Sequence, residues 1–144
     1  MFSIRLDLPN LIFTASHGIQ YENGVFEPLH EHEFRVAVEI SGPLNEMGYV
    51  ADFQMVEKSL REILDSLDNR TLLSEPERSL RNNCASPLVL PIMNTTAELL
   101  AGYIGEELRK KLNLSTKQYR ITLELEESPG CWAKICLQPN IGSE

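Results

Sequence analysis

The chain has 144 residues, 42% of them hydrophobic, and a formal net charge of −8 at pH 7. That length forms one domain, residues 1–144, with its own core, and the negative charge disfavours partners such as nucleic acid or anionic membrane. Cys84, Cys131 and Cys136 are odd in number and unevenly spaced, and neither an export signal nor a bilayer-length apolar run is evident, so reduced thiols and a cytoplasmic location are expected.

Phe2, Ile4, Leu6 and Leu8 alternate with polar residues, which predicts a strand broken at Pro9-Asn10 and resumed over residues 11 to 17. A turn or loop follows over residues 18 to 25. From residue 30 the even positions read His30, His32, Phe34, Val36, Val38 and Ile40, whereas the odd ones are mostly charged. That period of two predicts a strand with one buried face.

Asp52 is placed to cap an amphipathic helix over residues 53 to 67, with Phe53, Val56, Leu60, Ile63, Leu64 and Leu67 on its buried face. Residues 68 to 94 show no sustained period and read as a long loop or lid. Thr95 or Thr96 caps a second helix, with Glu98 completing a capping box if the cap is Thr95. Leu99, Leu100, Tyr103, Ile104, Leu108 and Leu112 form its apolar face, and Lys110 and Lys111 suit its C-terminal dipole. Tyr119, Ile121, Leu123 and Leu125 alternate into a third strand that Glu127 extends on the same parity. Pro129-Gly130 turns the chain into a fourth strand, residues 131 to 137, before a loose tail from Pro139. Cys131 is read as a small buried residue. The order is ββααββ, an α+β domain with a four-stranded antiparallel sheet and two helices on one face.

The protein has only three histidines. His30 and His32 begin the buried face of one strand, and His17 ends the apolar parity of another. Three imidazoles converging at a strand end, with a fourth position open, form the ligand set of a catalytic zinc site, although other divalent ions also suit them. A structural oligomer with three core histidines fits the same pattern.

The ordered set Phe13-Thr14-Ala15-Ser16-His17, His30-Glu31-His32, Gly48-Tyr49-Val50-Ala51-Asp52-Phe53, Leu67-Asp68, Asn94-Thr95-Thr96-Ala97-Glu98-Leu99-Leu100-Ala101 and Glu127-Ser128 spans most of the chain. It resembles the 6-pyruvoyl-tetrahydropterin synthase and 6-carboxy-tetrahydropterin synthase family. The resemblance implies the tunnelling fold, in which subunits join their sheets into a barrel as a homo-oligomer, a trimer or a hexamer. It also implies Zn2+ on His17, His30 and His32 and a small-molecule pterin held by Glu127, with contacts near Thr95 and Thr96.

At the position of the family's catalytic Cys stands Phe26, and Glu27 follows it, giving Glu-x-x-His-x-His. That is most like a variant branch with Glu in place of the Cys, and it implies retro-aldol cleavage of the side chain of 7,8-dihydroneopterin triphosphate or a related dihydropterin, with Glu27 as base and Asp68 assisting. Asn69 replaces the family's His after Asp68, and Glu31 replaces the Gly between the paired histidines. Two rival readings follow: a synthase making a 6-pyruvoyl or 6-carboxy product, and a zinc- and pterin-binding paralogue with little catalysis.

Overall fold

Strand β3 (His30–Gly42) is 13 residues long and pairs with three others. The computed structural model describes residues 1–81, 83–114 and 118–139. Along one flank of β3 lie two strands in succession. β1 (Phe2–Leu6) sets Leu6 opposite Val38 and Phe2 opposite Gly42; β2 (Ile12–His17) sets Ile12 opposite Arg35 and His17 opposite His30. The break between them falls at Pro9-Asn10, where proline has no N–H to give the ladder. Val36 N–H donates to the Leu11 carbonyl at 2.9 Å and carries the pairing past the break. On the other flank, β6 (Arg120–Ser128) pairs antiparallel with β3, and β7 (Cys131–Leu137) pairs antiparallel with β6.

Helices α1 (Phe53–Leu67) and α2 (Ala97–Leu112) cover one face. Asp52 caps α1, accepting from Gln54 N–H at 2.9 Å. Val56, Leu60, Leu64 and Leu67 are fully buried and join Leu100, Ile104 and Leu108 of α2 over Phe34, Val36, Val38, Ile40, Leu123 and Leu125 of the sheet. Arg61 of α1 donates to the Asn10 carbonyl, and to the Ile12 carbonyl at 3.2 Å, so the helix also secures the broken strand. Lys111 meets Glu62 at 3.0 Å between the helices.

Two expectations for the helices need correction. Phe53 is 54% exposed and Leu99 38% exposed, although both sit on the apolar stripe. Each lies in a first turn, where helical side chains lean back toward the N-terminus and overhang the helix end. The cap of α2 is Thr96, which accepts from Leu99 N–H at 3.2 Å. Its third helical residue is therefore Leu99, so Glu98 forms no capping box.

The segment expected as a long loop or lid holds regular structure. β4 (Arg70–Leu73) runs parallel to β2, β5 (Pro87–Val89) runs parallel to β4, and a 3-10 turn covers Glu75–Arg78. The antiparallel core predicted as four strands is thus extended into a mixed seven-stranded sheet of order β5-β4-β2-β3-β6-β7, with β1 on β3. These strands show no period because they are short, and Leu72 and Leu73 are both buried, so the alternation that marks a one-sided strand is absent. Asn69, between α1 and β4, takes a left-handed conformation at φ 59°, a region that asparagine enters more readily than most residues, and donates its N–H to the Thr14 carbonyl. The expected tail lies, beyond Pro139, outside the described residues. Among those residues no helix is long and apolar enough to cross a membrane.

Leu60→Ala removes a fully buried side chain and should cost about 2–5 kcal/mol, whereas Asp52→Ala removes one cap and should cost about 1 kcal/mol. Urea unfolding monitored by circular dichroism separates the two; equal losses would contradict the packing described.

Candidate metal centre

The pairing of β2 with β3 places His17 directly opposite His30, and His32 follows two residues later on the same face. Ring centroids are 4.9 Å apart for His17–His30, 5.3 Å for His17–His32 and 4.6 Å for His30–His32. One nitrogen from each ring can be chosen so that all three lie within 4.8 Å of one another. His17 is fully buried and the other two are part-exposed, so the group opens to one side.

Two of the rings have their tautomer fixed. His17 Nδ1 lies 2.7 Å from the Thr95 carbonyl, and His30 Nδ1 lies 2.9 Å from the Pro28 carbonyl. A carbonyl only accepts, so each Nδ1 carries the proton and each Nε2 presents a lone pair. His17 Nε2 is buried and makes no hydrogen bond, because the Glu127 carboxylate oxygen 3.0 Å away accepts rather than donates. Burial lowers the His17 pKa below the ordinary imidazole value, against the upward pull of the Thr95 hydrogen bond and the Glu127 carboxylate. A buried, neutral, unpartnered nitrogen is costly in a protein interior and natural for a metal ligand.

Two carboxylates flank the imidazoles. Glu127 Oε1 lies 3.0 Å from His17 Nε2 and 3.9 Å from His32 Nε2. Glu27 Oε1 lies 3.7 Å from His30 Nε2. A doubly charged cation would balance both, so the donor set fits a divalent metal by charge as well as by ligand type.

Glu27 stands at the end of a short loop closed by Tyr21 N–H to the Val25 carbonyl, at 2.9 Å, and by Glu27 N–H to the Ile19 carbonyl, at 2.8 Å. Its carboxylate accepts from Ile19 N–H at 3.1 Å and from the Tyr21 hydroxyl at 3.0 Å. Burial pushes its pKa up, but these two hydrogen bonds and the nearby His30 and His17 outweigh burial and hold it below the ordinary value. Tyr21 is shifted the other way, raised by its hydrogen bond to Glu27. Gly18 makes this closeness possible: a Cβ there would stand 2.4 Å from the Glu27 carbonyl oxygen.

Glu127 also borders a cleft of about 260 Å³ with Ala97, Glu98, Cys131, Trp132 and Ala133. Cys131 is exposed there, contrary to its expected burial, because it opens β7 at the sheet's outer edge. Thr95 is buried and meets His17 through its carbonyl rather than its hydroxyl. Thr96 is occupied as a helix cap. Asp68 is not brought to the histidines within one chain: its carboxylate accepts from Thr14 N–H at 2.8 Å and from the Asn69 side chain at 3.3 Å. Sequence reasoning missed Tyr21, Glu77 and Arg81. They lie in segments without periodicity, and the carbonyls of Pro28 and Thr95 leave no mark in side-chain identity.

The family described as 6-pyruvoyl tetrahydropterin synthase matches residues 10–137. Dihydroneopterin monophosphate aldolase of Pyrococcus furiosus is 30% identical over 111 residues, covering 77% of this chain and 81% of that one. The 6-carboxy-5,6,7,8-tetrahydropterin synthase of Rickettsia conorii is 24% identical over 129 residues, covering 85% of this chain and 94% of its own. Among solved structures, a catalytic-residue mutant of Plasmodium vivax 6-pyruvoyltetrahydropterin synthase, a glutamate replaced by alanine, superposes with a TM-score of 0.80 at 20% identity, covering 94% of this chain and 96% of that chain. With a mixed sheet, two helices on one face and a family match over most of its length, this chain belongs to the 6-pyruvoyl tetrahydropterin synthase family.

Proposed function

We propose that the chain is a zinc-dependent pterin lyase that cleaves the side chain of a 7,8-dihydroneopterin phosphate, or a related dihydropterin, with Glu27 as base. The observation that carries this reading is a carboxylate 3.7 Å from His30 Nε2 at the open side of the imidazole group, in a family whose usual base position is Phe26 here. The similar aldolase and the glutamate of the similar Plasmodium enzyme support it.

His17, His30 and His32 would hold the metal, which when bound would lower the pKa of the substrate's side-chain hydroxyls. Glu27 is ionised at neutral pH and ready to accept a proton. It takes the proton of the 2′-hydroxyl; C2′–O becomes a carbonyl as the C1′–C2′ bond breaks. The freed electron pair enters the conjugated dihydropterin ring, and proton return to C1′ leaves a 6-hydroxymethyl group and a two-carbon aldehyde. Glu127 accepts the paired N–H donors of the pterin edge, and the cleft beside it takes the ring. Asp68 serves by fixing β2 through Thr14, three residues before His17. The barrel assembly implied by the family is part of this proposal; the exposed Phe2, Leu44, Met47 and Tyr49 supply apolar surface for it.

A second reading is a synthase with a 6-carboxy product, favoured by the similarity to the Rickettsia enzyme. Product mass separates them: zinc-loaded protein with 7,8-dihydroneopterin monophosphate or triphosphate should yield 6-hydroxymethyl-7,8-dihydropterin, and a carboxy or pyruvoyl product would overturn the lyase reading. Glu27→Gln should lower kcat by about 10²–10⁴-fold while zinc content, read by atomic absorption, is unchanged. His30→Ala should lose both zinc and turnover; full zinc occupancy in that variant would remove His30 from the ligand set.

A further inference from the structure

Beside Glu27, the 3-10 turn and the residues that follow it hold a carboxylate and a guanidinium that the chemistry above does not use. Glu77 is fully buried. Its Oε1 accepts from Ser74 N–H at 3.0 Å and from the Ser74 hydroxyl at 2.9 Å. Its Oε2 faces Arg81 Nε at 3.1 Å, an ion pair by distance whose geometry is not that of a hydrogen bond. A carboxylate in such a place is costly unless paired, so the ion pair fixes Arg81 in turn. The other end of that guanidinium does not seek a second carboxylate. It donates from Nη2 to the carbonyl oxygen of Glu27 at 2.7 Å and lies over the ring of Phe26 at 5.0 Å. Its Nη1 stands 3.0 Å from the point where a Cβ on Gly18 would sit, so it fills the space beside the close approach of residues 18 and 27.

We propose that Arg81 is a positioning residue that clamps the backbone of Glu27, so that the segment between β4 and β5 sets where the Glu27 carboxylate stands. This rests on the reading of Glu27 as base. The chain of contacts is unbroken. Ser74 orients Glu77, Glu77 orients Arg81, and Arg81 holds the carbonyl of the residue whose carboxylate reaches the His30 ring. The task needs arginine, because one rigid fork spans the carboxylate and the carbonyl together; a lysine ammonium is a single point on a flexible stem. Misplacing a reacting group by about 1 Å can cost about 10²-fold in rate, so a backbone clamp has a catalytic effect without touching substrate.

Arg81→Met leaves Glu77 buried and unpaired and can fail to fold. The informative variants are Arg81→Lys, which keeps a charge opposite Glu77, and the double variant Glu77→Gln/Arg81→Met, which removes both. Each is compared with Glu27→Gln for turnover of 7,8-dihydroneopterin monophosphate, zinc per chain and hydrogen exchange of the peptide over residues 19–27. The clamp requires exchange in that peptide about tenfold faster in the double variant and less so in Arg81→Lys. It also requires kcat lowered about tenfold or more, KM within about twofold, and zinc retained. Unchanged exchange overturns it. Faster exchange with full kcat, while Glu27→Gln is inactive, also overturns it. Glu27→Gln at full turnover defeats the base assignment itself and leaves the clamp to the exchange data alone, faster exchange supporting it and unchanged exchange overturning it.

Discussion

The register that sets His17 opposite His30 is the constraint from which the site follows. Side chains alternate with a period of two, so this one alignment puts three imidazoles on the helix-covered face at the sheet's end. A slip of one residue would send His30 and His32 to the far face and bring Glu31 and Glu33 under the helices. The apolar residues that follow forbid it: Phe34, Val36, Val38 and Ile40 are all fully buried, and Phe13 stacks on Phe34 at 4.8 Å. Core packing and ligand convergence therefore depend on the same alignment.

The second ingredient is backbone, not side chain. The carbonyls of Thr95 and Pro28 decide which nitrogen of His17 and His30 is protonated, and hence which is free to bind. Thr95 immediately precedes the cap of α2, so helix packing is coupled to ligand orientation. The flanking carboxylates add negative charge beside the imidazoles. Glu27 approaches His30 and Glu127 approaches His17 and His32, so the two carboxylates stand on different rings.

Period-two runs made the central strands and the three histidines readable, because burial on one face leaves an alternating imprint. Asp52 was readable as a cap because a short polar side chain before an amphipathic run has one common purpose. β4 and β5 were not readable: they are short, and their pairing partners are far off in the chain. Phe53 and Leu99 follow the correct angular position but lie at helix ends, which periodicity does not register. Asn69, which stands where the resemblance places a His after Asp68, has a conformational reason to be asparagine in its left-handed backbone. Glu77 carries the local marks of a capping box with Ser74 and an i,i+4 pair with Arg81, but the link from Arg81 to Glu27 spans 54 residues of chain and leaves no local pattern.

Gly18 has a consequence for how such a site can vary through descent. The atom that a side chain at 18 would strike is a main-chain oxygen, which cannot rotate aside. Position 18 is thereby closed to drift, while Glu31, exposed between His30 and His32, is open to it. The charge on the outer face of β3 can change without touching the histidines. The spacing between Glu27 and the histidines can change only by rebuilding the loop as a whole.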